Sequence, residues 1–390
     1  MLALVRYLAV LAAGLVTAAT IGKLVPHIPW LVTAFDTSLG LAGLLVSAVM
    51  VPGALIGWAL GVVVDRFGAK RVAIGGIGLH ALASACLPYA TSFGALAALR
   101  VIEGIGYSLL IVGATVLVVG VSAARHRALA LSVWSSFAPI GFALGQWAAA
   151  GVSGADRLAE IGQVHAALLV AAAVLLGLLF PAEDARARIS VQRPAWNALR
   201  YPPALRAAGA FGCATAVLLS AVALAPLVLA PAAGLSVAET ARLTALAALP
   251  GIIGRFGSGW LLDRALAPLA VFASASIIGT ACLLACLLAP IPLGLALVFF
   301  ACFQICIGAL PGVLSAMLPH VAPTPAQLGT VTGMSNQTAN LGNLIGPPLV
   351  LSVFAAAGAG AASMVLVAAV ALGVAAISNV AVFRAARVTG

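Results

Sequence analysis

Apolar runs of about 20 residues, the length needed to cross a bilayer as a helix, follow one another along almost the whole chain, separated by short polar turns. They predict helices over about Leu4–Leu31, Leu41–Val64 and Val72–Tyr89, from Phe93 to the turn at Ser122–Arg127, and over Ala128–Val152, with a sixth ending near Pro181. The pattern resumes over Ala207–Ala230 and Thr240–Leu262. It continues through a ninth and tenth run meeting at Pro290-Ile291-Pro292, then Leu328–Phe354, and a twelfth ending before Arg384. Proline has no N–H to give, so Pro26 and Pro29 predict a bend or an end in the first run. The Arg-rich, proline-bounded stretch from Pro181 to Pro203 reads as the one clear linker. The expected division is a six-helix bundle over 1–181, a cytoplasmic linker over 182–205 and a second six-helix bundle over 206–390.

The turns repeat. Gly61, Asp65 and Arg66 recur as Gly259, Asp263 and Arg264 at a constant offset of 198, about half of 390 residues, and Gly141 and Gly145 recur as Gly342 and Gly346 at an offset of 201. An internal repeat of this length predicts two homologous halves. The stretch Gly61-x-x-x-Asp65-Arg66-x-Gly68-x-Lys70-Arg71, between the second and third helices, resembles the signature loop of the major facilitator superfamily. The copy after the eighth helix keeps the acid–base pair and lacks the later glycine and basic residues. The resemblance runs the length of the chain. It implies an all-α membrane protein of twelve helices in two pseudo-symmetric halves, transporting small solutes by alternating between inward-open and outward-open states. It also implies a conformational latch formed by Gly61, Asp65, Arg66, Gly68, Lys70 and Arg71 with Asp263 and Arg264. Asp65, at a helix end, can pair with an arginine or with the N-terminus of a neighbouring helix; the plainer alternative is a turn that only sets topology.

Composition narrows the picture. With 64% hydrophobic and 7% charged residues, no water-soluble domain could cover its surface. The net charge of +10 is not a nucleic-acid footprint, because Arg66, Lys70, Arg71, Arg125, Arg127 and Arg264 fall in turns on one side, with most of the other cations. Arg157 and Arg242 stand alone on the other. That bias places both termini in the cytoplasm; the expected location is a prokaryotic inner membrane. The six cysteines lie within apolar runs, and the i, i+4 pairs Cys282/Cys286 and Cys302/Cys306 read as packing residues rather than zinc ligands. The first run, without a clear cleavage site, is expected to be a retained helix rather than a signal peptide. There is no phosphate-cradling glycine loop and no nucleophile with a base. The expectation is a protein without enzymatic activity, cofactor or metal, driven by a gradient and working as a monomer. A non-transporting membrane receptor would call for an appended signalling domain, for which twelve spans leave no room.

Four charged groups fall at depth: Lys23, Arg100, Glu103 and Arg255. An ionisable residue inside the membrane is a functional candidate. Arg255 lies about 12 Å from the helix end at Asp263, at ~1.5 Å per residue, near the depth where substrates of such folds bind. Its planar fork suits a carboxylate; hydrogen bonding to carbonyls is the structural alternative. Arg100 and Glu103 share a helix face and can pair, which would leave Lys23 and Arg255 without an acid. Glu103, with burial and Arg100 pulling its proton in opposite senses, is the candidate proton carrier; a permanent ion pair is the alternative. His27, His80 and His165 are expected at the interfaces. Asn336, Asn340 and Asn343 form one stripe on the eleventh helix. With Tyr107 and Gln304, Asn336 and Asn340 complete a candidate substrate set, for which packing is the plain alternative.

Lys23 with Gly254-Arg255-x-x-x-Gly259-x-x-x-Asp263-Arg264 resembles monocarboxylate and oxalate–formate type carriers, whose basic groups on these helices meet the substrate carboxylate. Position 251 is Gly, where some members carry an acid. Arg100-x-x-Glu103-Gly104-x-Gly106, followed by Trp134 and Pro139-x-Gly141, resembles the cyanate-permease type branch. The expected function is secondary active transport of a small organic anion, a carboxylate, coupled to protons. The alternative is a proton-driven efflux pump for apolar or cationic compounds.

Overall fold

The computed structural model describes residues 1–149, 154–181 and 196–384; most of the expected linker, 182–195, lies outside them. Every element among the described residues is helical. That is the form a single chain segment takes when a bilayer offers its backbone no hydrogen-bond partner. The membrane-length helices are α1 (Leu2–Ala34), α2 (Gly40–Phe67), α3 (Ala69–Tyr89), α4 (Phe93–Val121), α5 (Ala124–Ala149), α6 (Ala155–Leu179), α7 (Pro202–Pro231), α8 (Glu239–Asp263), α9 (Pro268–Leu288) and α10 (Leu293–Val321). The helical stretch Pro325–Ser378 is 54 residues long. It breaks at Gly358, whose φ of 79° and ψ of −175° are not helical, giving α11 (325–357) and α12 (359–378). The sequence pattern ends the eleventh helix near Phe354. The break falls a turn later because only glycine takes that backbone conformation without strain.

Three other interruptions matter. Regular α-helix stops at Gly22, followed by a turn at Lys23–Leu24 and a 3-10 turn over Val25–His27 that carries Pro26. Lys23 therefore stands at the break in α1. The link between α2 and α3 is Gly68 alone, at φ 91°. Within α2, Ile56 leaves helical geometry, and the Gln337 side chain repairs the ladder. Its Oε1 accepts from Trp58 N at 3.2 Å and its Nε2 donates to Leu55 O at 3.2 Å.

By packing, the chain forms two compact units. The first contains residues 1–122, 136–199 and 324–337; the second contains 123–135, 200–323 and 338–390. Thus α5 and α11 each contribute one end to each unit, a feature the division at the linker does not anticipate. In the first unit a Cβ on Gly145 would collide with Ala19 O, and one on Gly61 with Gly329 O. In the second unit Gly346 has the same relation to Ala216 and Gly259 to Leu129 and Ser132. The repeated glycines are the points where α5 meets α1, α11 meets α7, α2 meets the start of α11 and α8 meets the start of α5.

Gly145→Val should therefore lower stability by about 1–3 kcal/mol through overpacking. A Cβ on Gly75 meets nothing within 4 Å, so Gly75→Val should stay within about 0.5 kcal/mol of wild type. Thermal unfolding of the two purified variants compares them directly, and equal losses would mean the helix crossings tolerate side chains.

Candidate functional site

The first unit encloses a charge cluster. Glu103 of α4 is fully buried. Its Oε1 accepts from Lys23 Nζ at 2.6 Å, and its Oε2 accepts from Arg100 Nη1 and, at 3.2 Å, from Thr20 Oγ1. Arg100 is saturated. Besides Glu103 it donates to Thr20 Oγ1 and Thr20 O, each at 3.0 Å, to Leu45 O at 3.1 Å and to Val46 O at 3.4 Å. Five acceptors match the five N–H groups of a guanidinium. Thr20 O belongs to the last turn before the break in α1, where helix carbonyls lack an intrahelical partner.

Lys23 also donates to Ser84 Oγ of α3 at 2.8 Å and meets His165 Nδ1 of α6 at 3.0 Å. An ammonium only donates, so Nδ1 is the acceptor, and His165 Nε2–H donates to Val16 O at 2.8 Å. His80 of α3 completes the group, with Nε2 3.9 Å from Glu103 Oε1 and its ring 5.2 Å from that of His165. Close approach of α3 and α4 puts it there, since a Cβ on Gly106 would press on His80 at 2.8 Å.

Two expectations change here. The spacing pairs Glu103 with Arg100 and leaves Lys23 over; in the structure one carboxylate bridges both cations, because the break in α1 turns Lys23 inward. Nor are His80, His165 and His27 interfacial, for all three are buried. Their contacts run between helices far apart in sequence, and the only signal for His80 and His165 was their position inside apolar runs.

His80, Glu103 and His165 offer three ligand atoms within 4.8 Å of one another, a spacing that could hold a metal ion. The donor set does not fit one. Lys23 and Arg100 already occupy the carboxylate, and both nitrogens of His165 are engaged, by Lys23 and by Val16 O.

In the second unit, Arg255 of α8 is buried and its Nη1 donates to Ser135 O at 2.6 Å and Ser135 Oγ at 3.3 Å. No carboxylate among the described residues lies within ion-pair distance of it. By the offset of the repeat, Arg255 stands where the first half has Gly57, which packs against Gly333 O. The second half has exchanged a bare helix contact for a buried cation, a departure that aligning the two halves would have exposed. One turn away, Gly251 lies against Gln304 of α10, whose Nε2 is buried without a partner.

The signature loop divides its labour. Asp65 Oδ1 accepts from Gly329 N at 2.7 Å, and Oδ2 accepts from Thr330 N at 2.7 Å and Thr330 Oγ1 at 2.6 Å. It caps the start of α11 rather than pairing with an arginine. Lys70 donates to Gly177 O at 2.9 Å and to Phe180 O at the end of α6. Arg66 and Arg71 are exposed, Arg66 5.5 Å from the ring of Phe67. The echo is also engaged: Asp263 Oδ2 accepts from Leu129 N at 3.3 Å, and Arg264 lies 3.6 Å over the ring of Trp260. A cap needs only a carboxylate and a helix start, so the residues missing from the echo do not prevent it.

Of the remaining candidates, Tyr107 is buried with its ring 6.5 Å from that of Phe137, in the first unit. Asn336 falls in the first unit and the buried Asn340 in the second, so the asparagine stripe does not belong to one packing unit.

Residues 10–347 match the family model of the Major Facilitator Superfamily. A 3-(3-hydroxy-phenyl)propionate transporter of Escherichia coli K12 is 32% identical over 145 residues, 37% of this chain. The match spans 32% of that transporter's length. Among solved structures, the transporter FucP in its outward conformation superposes with a TM-score of 0.76 at 18% identity, over 97% of this chain and 99% of FucP. The human organic anion transporter MFSD10 gives 0.71 at 18% identity, over 96% and 98% of the two chains. The described helices, their break at Gly358 and these matches define a twelve-helix integral membrane transporter and not an enzyme. The chain belongs to the Major Facilitator Superfamily.

Removing the shared acid should be costly. Glu103→Gln leaves Lys23 and Arg100 buried without a countercharge, and breaking a buried pair in this way costs about 3–5 kcal/mol. Adding Lys23→Met to Glu103→Gln should recover part of that loss. Thermal unfolding of the single and double variants reads both effects; a single variant as stable as wild type would mean that water solvates the cluster.

Proposed function

We propose that this protein is a secondary active transporter that moves a small organic anion, a carboxylate, together with protons by alternating access. The observation that carries the reading is Arg255, a buried guanidinium that meets only Ser135 and no acid among the described residues. An unpaired charge in a low-dielectric interior is costly, and an anionic solute supplies the missing partner. The partial relative is named for a carboxylate, which favours the same chemistry.

In this reading Arg255 binds the carboxylate through its fork, with Gln304 and Asn340 of the same unit as further polar contacts; Lys23, Tyr107 and Asn336 are the substrate-binding candidates of the first unit. Glu103 and Arg100 belong to proton coupling. The caps that Asp65 and Asp263 place on the starts of α11 and α5 form and break with the transport cycle, Gly61, Gly68, Arg66, Lys70, Arg71 and Arg264 shaping the two loops. The halves 1–181 and 206–390 serve as the repeating bundles. In this reading both termini lie in the cytoplasm, which the charge bias supports, the membrane is the inner membrane of a prokaryotic cell, and the monomer is the working unit. Glu103 offers no free site to a cationic drug because Lys23 and Arg100 already hold it; this disfavours the efflux alternative.

A thermal-shift screen tests the assignment. Ligands would be 3-(3-hydroxyphenyl)propionate, benzoate, oxalate and formate, against ethidium and tetraphenylphosphonium. A ligand at about 100 times its Kd stabilises by about 2.7 kcal/mol. At least one carboxylate should stabilise wild type and bind Arg255→Ala at least about tenfold more weakly, equivalent to about 1.4 kcal/mol. Stabilisation by the cations alone would transfer the protein to the efflux class.

A further inference from the structure

The charge cluster leaves one polar group unused. Glu103 is engaged at both oxygens, Oε1 by Lys23 and Oε2 by Arg100 and Thr20. His165 is engaged at both nitrogens, by Lys23 and by Val16 O. His80 is fully buried, and neither of its nitrogens has a hydrogen-bond partner. It faces Glu103 and Arg100 from α4, Lys23 from α1 and His165 from α6. A buried polar group ordinarily finds a partner. Here an acceptor stands just beyond reach, with Glu103 Oε1 3.9 Å from His80 Nε2. His27 is also buried without partners, but no carboxylate among the described residues lies within ion-pair distance of it.

We infer that His80 is the proton-binding group of this cluster, and that its imidazolium competes with Lys23 for Glu103 Oε1. The proposal rests on the anion-transport reading and moves the transported proton from the Glu103 carboxylate to the neighbouring imidazole. A proton from the aqueous phase adds to the unprotonated ring nitrogen, so that both nitrogens carry hydrogen. Nε2–H then donates to Oε1 after a shift of about 1 Å, the difference from an ordinary charge-assisted hydrogen bond. The imidazolium then shares Oε1 with the Lys23 ammonium, and repulsion between the two cations loosens Lys23 to meet an anion.

The charges balance. With neutral histidines, Lys23 and Arg100 against Glu103 leave one positive charge; the proton adds a second, and a monovalent anion arriving at Lys23 restores the first value. Loading of proton and anion together thus avoids the two extreme charge states in a medium where each is costly. Arg100, with every donor satisfied, stays in place and keeps Glu103 ionised through the exchange.

The test needs no substrate. Full-length protein in lipid nanodiscs, labelled with 15N-histidine, is followed by NMR between about pH 5 and 9, the range in which imidazoles ordinarily titrate. One of the imidazole signals from the five histidines should pass from neutral to charged. It should be absent in His80→Gln, and its midpoint should move by at least about one pH unit in Lys23→Met, where the competitor is gone. Should His80→Gln fail to fold, the signal is assigned by elimination in His27→Gln, His126→Gln, His165→Gln and His320→Gln. A His80 signal that stays neutral throughout, or one that titrates identically in Lys23→Met, overturns the proposal. In parallel, proteoliposomes are tested for uptake of 3-(3-hydroxyphenyl)propionate and benzoate under an imposed pH gradient. If neither moves while His80 titrates as described, the carboxylate reading fails and the proton site stands; if they move and His80 does not titrate, the reverse holds.

Discussion

One carboxylate between two cations governs the first unit. Glu103 is the only acid in a buried group that also contains Lys23 and Arg100, and Coulomb interactions in such a medium are several-fold stronger than in water. The local architecture serves that requirement. The break in α1 exposes Thr20 O to Arg100 and turns Lys23 toward α3, α4 and α6. The glycine contact at Gly106 brings His80 within 4 Å of the same carboxylate. Each helix of the group supplies a polar atom that only the neighbouring helices can satisfy, so the cluster also fixes which helices pack together. In a bilayer, where burial of apolar surface does not distinguish a neighbouring helix from lipid, polar contacts of this kind supply much of the specificity.

The repeat shows where the two halves do the same work and where they part. Asp65 on Thr330 N and Asp263 on Leu129 N are the same contact in two copies, as are the glycine crossings of α5 on α1 and α11 on α7. Against that symmetry two exceptions stand out. Arg255 replaces a glycine of the other copy, and the Lys23–Glu103–Arg100 cluster has no counterpart among the described ion pairs of the second unit. A duplicated scaffold gives matched mechanical contacts; under the proposed assignment the solute and the proton fall to residues present in one copy only.

Much of this was legible in the sequence, because a bilayer imposes long apolar runs and short turns that composition cannot hide. The helices, Gly68 as the α2–α3 turn, the disturbance near Pro26 and the glycine pairs at the crossings all follow from local chemistry. Side-chain partners were not legible. Lys23 and Glu103 are 80 residues apart, and nothing local distinguishes a lysine that ends in a salt bridge from one that reaches the interface. The histidines were misplaced for the same reason, since burial depends on which helix faces lie inward. The repair of α2 by Gln337 was equally hidden, for it depends on a helix distortion that no residue pattern announces.

The break at Gly358 bears on how the protein is made. From Val321 to Phe383 no residue carries a charge, and the turn between α11 and α12 is built of alanine and glycine alone (355–362). A translocon reading the chain in order meets no basic residue there to hold one side back. Nothing charged has to cross the bilayer between His320 and Arg384, so the two helices and the turn that joins them can enter the lipid as one hairpin. A single lysine added to that turn would give the insertion machinery a competing instruction.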